Sequence, residues 1–355
     1  MRIDQLVPAF HRGDAIGDEA FELRSFLRGR GYDSEIYCLS RDRGLEGQAR
    51  LFGKFPMPGS ADITILHFAL PSPLTQAFIK LPSKKAIIYH NITPAEFFKD
   101  LNPEMARLSR LGRIELESLQ PHVGLSLADS EFNRLELAEL GFRNTRVFPL
   151  FIDFARYEKP ASRFVYDLFR DERVNVLFVG RVAPNKRIEN LIKVVFYYKK
   201  YISPLVRLII VGKTDTFPAY YRSVVRMADE FYLKPEEIQF IGHVPDEEMF
   251  ALYRASDVFL SLSEHEGFCL PLVESMIFEL PVVALDSTAV PTTLGEAGIQ
   301  IKDSRPDYVA ELIDIIAHNE RCKAKLIKSG QRELKKFKAF KREEFLLREL
   351  SQFLT

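Results

Sequence analysis

Val174-Asn-Val-Leu-Phe-Val179 runs directly into Gly180-Arg181-Val-Ala-Pro-Asn-Lys186-Arg187, and then into a stretch of helical period that ends near Lys200. An apolar run of strand length, a polar loop opened by glycine and an amphipathic helix make up half of a βαβ unit. The alternation continues downstream. Leu205–Val211, Ile238–Ile241, Asp257–Leu260 and Pro281–Ala284 read as strands, with helices over Tyr220–Tyr232, Asp246–Arg254 and Leu272–Phe278 between them. Upstream, Ile16, Ala20, Leu23 and Leu27 share one helix face that ends at Gly29 and Gly31. Strands follow at Ser34–Cys38, Ile63–Leu66, Ala86–Tyr89 and Val123–Ala128, with a helix over Met105–Leu119 and another capped by Ser130. Strands that alternate with helices predict parallel sheets wound on both faces, an α/β fold.

A chain of 355 residues exceeds one ordinary core. Phe148-Pro149 through Lys159-Pro160 lacks a clear period and carries two prolines, so the hinge between two Rossmann-like domains is placed at about 150–170. The expected division is a first domain over 1–155 and a second over 156–335. A C-terminal helix over 336–355 has a return to the first domain as one option. The tail from Arg321 to Arg348 holds eleven basic and three acidic residues, which reads as a solvated helix face or as contact with an anionic surface.

Composition excludes several functions. Lysine plus arginine equals aspartate plus glutamate, at 49 each, so no nucleic-acid partner is expected. No apolar run approaches the roughly 18 residues that span a bilayer. The opening Met1-Arg-Ile-Asp-Gln-Leu has no apolar signal core. Cys38, Cys269 and Cys322 have no metal-ligand or redox spacing, which predicts a reducing cytoplasm. Glycine spacing for a dinucleotide is incomplete at Gly13-Asp-Ala-Ile-Gly17. A P-loop, a G-x-S-x-G elbow and a strand-flanked D-x-D are all missing. No metal and no cofactor are therefore expected. Phosphate charge falls to Arg, Lys and helix N-termini.

Two segments carry chemistry. Arg181 and Lys186 flank the loop after Val179, beside a helix start, and suit a diphosphate; taken alone they read more simply as two ordinary basic residues of a solvated loop. The second segment is Ser263-Glu-His-Glu266-Gly267-Phe268-Cys269-Leu270-Pro-Leu-Val-Glu274. One carboxylate on the loop and one on the helix suit polyhydroxyl recognition, because each accepts hydroxyl protons. The plain alternatives are a turn residue for Glu266 and a helix-dipole carboxylate for Glu274.

Together these segments resemble family 4 glycosyltransferases, the retaining GT-B class. Glu266 and Glu274 stand as in that family's E-x7-E motif, and Gly180-Arg181 to Lys186 resembles its G-R-x-x-x-x-K segment. Val211-Gly212, Phe240-Ile-Gly242-His-Val244-Pro-Asp-Glu-Glu248 and Leu252-Tyr-Arg-Ala-Ser-Asp-Val258 keep the family's order, so the likeness covers nearly all of the second half. It is looser in the first half: Tyr89-His90-Asn-Ile-Thr-Pro94, Ala128-Asp-Ser130-Glu-Phe132 and the Gly13–Gly17 loop. Cys269 departs from the glycine usual there.

The resemblance implies a GT-B fold, two Rossmann-like domains facing across a cleft, the first binding the acceptor and the second the nucleotide sugar. It implies transfer of a hexose from a GDP- or UDP-sugar, with GDP-mannose-like donors preferred, to a hydroxyl of a glycan or lipid-linked glycan, with configuration retained and without a metal. Arg181 and Lys186 would hold the diphosphate. Glu274 would accept the ribose hydroxyls, and Glu266 would bind the donor sugar, with Gly267, Phe268, Cys269 and Leu270 near sugar and phosphate. Val244 would join the donor site. His90 would face the donor sugar; on its own it reads as a core or loop-capping histidine. Gly13 and Gly17 would let the first loop approach the diphosphate or acceptor. A non-catalytic nucleotide-sugar-binding scaffold and a sugar-nucleotide epimerase are the alternatives. Arg24, Arg28 and Arg30, with Arg107, Arg110 and Arg113, are read as solvated faces or as a surface docked on the inner face of the membrane.

Overall fold

A computed structural model describes residues 1–11 and 14–354. Gly13 of the expected glycine loop lies outside the described residues. The chain divides into two compact units. The first comprises residues 1–99, 103–152 and the final segment from Lys341; the second comprises 100–102 and 153–340.

The first unit is built on seven parallel strands. In chain order its elements are β1 (Ile3–Phe10), α1 (Ala15–Gly29), β2 (Ile36–Arg41), β3 (Arg50–Leu51), β4 (Ile63–Phe68), α2 (Pro73–Ile79), β5 (Lys84–Tyr89), α3 (Pro103–Leu119), β6 (Leu125–Ala128), α4 (Glu131–Glu139) and β7 (Thr145–Val147). The sheet order β3-β2-β1-β4-β5-β6-β7 reverses direction between β1 and β4, as in a doubly wound fold. Every residue of β4 is buried, the mark of a strand covered on both faces.

β1 was not legible as a strand. Its apolar residues are interrupted by Asp4, Gln5 and Pro8, yet Asp4 and Gln5 are 1% and 0% exposed. Both are satisfied inside: Asp4 accepts from the Glu35 backbone N–H at 3.0 Å, and Gln5 donates to the Ala20 carbonyl at 3.0 Å. The Ser130 cap is present, its hydroxyl accepting from the Asn133 N–H at 3.2 Å.

The second unit continues with α5 (Arg163–Phe169), β8 (Val174–Val179), α6 (Ile188–Tyr201), β9 (Val206–Val211), α7 (Pro218–Glu230), β10 (Ile238–Gly242), α8 (Asp246–Ala255), β11 (Val258–Ser261), α9 (Leu270–Ile277), β12 (Val282–Leu285), α10 (Val290–Leu294), β13 (Ile299–Ile301), α11 (Pro306–His318) and α12 (Glu320–Ala339). Its six parallel strands run β10-β9-β8-β11-β12-β13, with the switch between β8 and β11. The stretch without a clear period, 148–160, holds a one-turn helix, Phe154–Glu158, and α5 follows it within the expected hinge. α5 escaped the periodicity reading because its apolar residues do not share a buried face: Phe164 is 78% exposed and Leu168 60%.

A final helix, α13 (Arg342–Leu354), belongs to the first unit. Leu346 and Leu350 enter the apolar cluster of Ile3, Leu23, Ile65, Ile88 and Phe148. Arg342 anchors the helix start. It is paired with the buried Glu19, donates to the Pro149 carbonyl at 3.0 Å and lies 3.8 Å from the Phe148 ring centroid. The basic tail is thus two helices, α12 and α13, in different units. No helix among the described residues is long and apolar enough to cross a membrane.

Candidate active site

In doubly wound sheets ligands bind beyond the carboxyl ends of the strands at the switch point. In the second unit those ends are Val179 of β8 and Ser261 of β11, and both sequence motifs begin there. The rim is made of glycine. Gly180, Gly212 and Gly242 end β8, β9 and β10 with positive φ, and the Gly212 N–H donates to the Gly242 carbonyl at 2.8 Å. A Cβ on Gly212 would lie 2.2 Å from the Gly180 carbonyl oxygen, so a side chain is excluded at that position.

Arg181 follows immediately; it is exposed, and no described residue forms an ion pair with it. Lys186 closes the one-turn helix Pro184–Lys186 and donates to Glu266 at 2.6 Å. The β8 and β11 loops are tied together by backbone as well. Asn185 Nδ2 donates to the His265 carbonyl at 2.9 Å, and the Glu264 N–H donates to the Asn185 carbonyl at 2.9 Å. Arg187, in left-handed conformation at the start of α6, reaches Glu264 at 2.6 Å. From the next loop, Thr288 Oγ1 accepts from the Glu266 N–H at 2.8 Å, and Ser287 Oγ donates to the Ser263 carbonyl at 2.6 Å. Asn185, Ser287 and Thr288 therefore fix the carboxylate loop. None was singled out from the sequence, because a loop hydroxyl has no pattern until its acceptor is placed.

Gly267, Phe268 and Cys269 lead into α9, with Leu270 as its first residue. Cys269 occupies left-handed backbone, φ 67 and ψ 66, which explains why glycine suits this position. Burial pushes its thiol well above the ordinary value, and the nearby Glu266 adds to the shift. Glu274 is 4% exposed and faces inward. Its two oxygens accept from Tyr157 Oη at 3.0 Å and Tyr253 Oη at 2.7 Å. Burial raises its carboxyl, with the two phenols and Arg156 opposing. Arg156 holds Tyr157 in place through a two-pronged pair with Asp246, at 2.9 and 2.6 Å. Val244 sits half-buried in the loop before α8.

In the first unit His90 follows β5, its side chain 4% exposed. It belongs to a buried hydrogen-bonded chain. Because Gln5 Nε2 donates to Ala20, Gln5 Oε1 faces His67 Nε2 at 2.9 Å and accepts its proton. Burial holds His67 well below the ordinary histidine range, so its Nδ1 keeps a lone pair and accepts from His90 Nε2 at 3.0 Å. His90 Nδ1 and Asp129 Oδ2, 2.9 Å apart, then share one proton. Burial raises Asp129, and His90 opposes the shift. Both ring nitrogens of His90 are thereby occupied, and a sugar contact through the ring requires a hydroxyl to take the place of His67. Gly17 lies in the first turn of α1, where a Cβ would come within 1.7 Å of the His11 carbonyl oxygen.

The six arginines of the expected basic face are mostly neutralised. Arg24 and Arg28 pair with Glu35, Arg107 with Glu104 and Arg113 with Glu136. Among the described residues no group of three or more His, Cys, Asp or Glu side chains is placed to hold a metal.

Both units are Rossmann-like α/β domains that match those of GT-B glycosyltransferase structures. Residues 160–333 match the model of the family glycosyl transferases group 1. O-antigen chain mannosyltransferase B from Escherichia coli is 30% identical over 134 residues, 38% of this chain and 34% of that protein. The serotype-specific mannosyltransferase WbdA from Escherichia coli is 26% identical over 120 residues, 34% of this chain and 14% of its own length. The matched part is thus about a third or less of these relatives. Among solved structures, Anabaena HepE in complex with UDP and glucose superposes with a TM-score of 0.74 at 18% identity, over 99% of this chain and all of that one.

Proposed function

We propose that the protein is a retaining, metal-independent glycosyltransferase. It moves a hexose from a nucleotide-diphosphate sugar, GDP-mannose-like in preference to UDP-linked, to a hydroxyl of a glycan or lipid-linked glycan. The observation that carries this reading is the Lys186–Glu266 pair beside the exposed Arg181 at the switch point of the second sheet. Cations here meet the diphosphate; a carboxylate and a tyrosine-held Glu274 meet hydroxyls. The match to glycosyl transferases group 1 over this unit, and the mannosyltransferases among its relatives, support the class and the hexose.

Negative charge grows on the leaving phosphate as the sugar–oxygen bond breaks, and Arg181 and Lys186 stabilise it there. The acceptor oxygen attacks the same face of the sugar, and its proton passes to a phosphate oxygen of the leaving nucleotide. No protein base is required. Glu266 orients the sugar hydroxyls, and the N–H groups of Gly267, Phe268 and Cys269 face the phosphate. The first unit takes the acceptor. Action at the cytoplasmic face of a membrane follows from a lipid-linked acceptor.

The test is a calorimetric and thermal-shift panel of UDP, GDP and ADP and their sugars, with and without EDTA. It is followed by NMR of the product's anomeric proton. One nucleotide that binds irrespective of EDTA and gives a product of retained configuration supports the reading. Binding without transfer favours a scaffold, and conversion of the donor sugar alone favours an epimerase.

A further inference from the structure

A cavity lies in the first unit. It measures about 350 Å³ and is lined by Arg41, Glu46, Ala49, Arg50, Leu51 and Lys54. Its position follows from the sheet order. Arg41 is the last residue of β2, and Lys54 ends the turn that leaves the edge strand β3. The cavity therefore lies beside the edge of the sheet, with Arg41 at the carboxyl end of β2.

Its charges are not balanced internally. Arg41 and Lys54 form no ion pair with any described residue, and the buried Nε of Arg41 has no acceptor. Arg50 forms an ion pair with Glu35, Nε to Oε2 at 3.0 Å, and its side chain is 58% exposed. Glu35 is already shared, with Arg24 and Arg28 each at 3.0 Å, so a single buried carboxylate serves three guanidinium groups. The lining itself carries three cations, Arg41, Arg50 and Lys54, against the single carboxylate of Glu46. Ala49, 1% exposed, provides a closed apolar wall. Glu46 completes the lining and is paired with none of the three cations.

We propose that this cavity binds an oxyanion, a phosphate or carboxylate, carried on a saccharide. Arg50 and Arg41 offer planar N–H forks matched to such a group, and Lys54 adds a point charge. Glu46 then accepts from a neighbouring hydroxyl of the same sugar, which a bare ion does not possess. The volume is at the lower end for small-ligand pockets and suits one sugar residue. The proposal rests on the reading of the first unit as the acceptor side: it makes the acceptor an acidic or phosphorylated sugar. The same chemistry has two sources, a free sugar phosphate and a lipid headgroup.

The test uses the full chain and two probes, glucose 6-phosphate in calorimetry and phosphatidylglycerol vesicles in co-sedimentation. Arg41→Gln combined with Lys54→Gln is expected to weaken binding about ten- to a hundredfold, the loss of two charge-assisted contacts. Arg41→Lys with Lys54→Arg retains the charge and restores most of it. Arg181→Ala, at an exposed residue without an ion-pair partner among the described residues, leaves this binding intact, which separates the cavity from the nucleotide site. Dependence on Arg41 and Lys54 with glucose 6-phosphate supports a sugar-borne oxyanion; the same dependence with vesicles alone, whose headgroup carries no sugar, overturns the saccharide assignment. Failure of both probes to bind, or equal binding by the double glutamine variant, overturns the proposal. Neither result depends on nucleotide binding, so the proposed transferase activity stands or falls separately.

Discussion

Lys186 and Glu266 are bonded to each other, Nζ to Oε2 at 2.6 Å, although one is assigned to the diphosphate and the other to the sugar. Both are largely buried, with side chains 17% and 8% exposed. On the proposed reading a donor enters a site whose principal cation is already neutralised, and Lys186 shares its three protons between carboxylate and phosphate. The pair is cheaper to remove whole than to halve, because a buried charge left alone carries the full desolvation cost.

Lys186→Ala is accordingly expected to destabilise the second unit by about 3–5 kcal/mol, whereas Lys186→Met combined with Glu266→Gln recovers most of that loss. Both variants lose transfer activity, and turnover falls further than the affinity for the sugar-free nucleotide. Urea unfolding of the three proteins checks the first point and steady-state rates the second. Equal stabilities for the single and double variants would show that the pair is not coupled.

Glu274 is a structural acceptor as well as the expected ribose ligand. Glu274→Ala strands the hydroxyls of Tyr157 and Tyr253, which are 5% and 1% exposed, at a cost of about 2–4 kcal/mol. Glu274→Gln keeps an acceptor, stays within about 1 kcal/mol of the parent and isolates the functional effect: nucleotide affinity drops about tenfold. Thermal melts and calorimetry of the pair decide it; an alanine variant that melts like the parent would contradict the buried role.

Cys269 pays a backbone penalty that glycine avoids. Cys269→Gly is expected to be neutral within about 1 kcal/mol, its lower left-handed cost offset by greater chain entropy, while the β-branched Cys269→Val loses more than about 1–2 kcal/mol. Burial keeps the native thiol protonated, so Ellman's reagent labels the partly exposed Cys322 first. Rapid labelling of Cys269 in the folded protein would refute this.

Asp4 gives the first unit a defined pH response. Burial pushes its carboxyl from 3.8 to about 6, with Arg2 opposing the shift. Since the folded value is the higher one, its contribution is fully present below the unfolded value and is lost as pH rises through the folded one. Stability is expected to fall on this account between 3.8 and about 6, and Asp4→Asn to flatten that segment of the curve. Unfolding free energies across this window provide the check.

Arg342→Ala is expected to cost about 3–5 kcal/mol, because it leaves the carboxylate of Glu19, whose side chain is 1% exposed, with the Phe151 N–H at 2.8 Å but without its guanidinium partner. Hydrogen exchange resolves where the loss falls: amides of α13 exchange faster, while those of α6 and α9 do not change. Uniform acceleration in both units would contradict a local anchor.

The strands at Val174–Val179 and Ile63–Phe68 were legible because both faces are covered, which forces continuous apolar runs. The helices whose apolar residues repeat on one face were legible for the same reason. β1 was not, since its Asp4 and Gln5 are buried polar groups whose partners, Glu35 and Ala20, are set by tertiary contact. α5 was missed because it buries too little to show a stripe. At the site, Glu266, Glu274, Arg181 and Lys186 stood out by spacing. That Lys186 and Glu266 bond each other, that two tyrosines hold Glu274 and that His67 occupies His90 depend on side chains far apart in sequence, which spacing does not encode.

The placement of α13 bears on how the protein is made. Strands β1 to β7 emerge from the ribosome early, but Leu346 and Leu350 of their apolar cluster come only after the whole second unit has been synthesised. Until then the Ile3, Ile65 and Ile88 face of the sheet lacks its cover. The second unit is contiguous apart from three residues, 100–102, so it can close on itself while translation proceeds, whereas the first must wait for the last helix. Nascent chains stalled before Arg342 are therefore the species on which a chaperone would act.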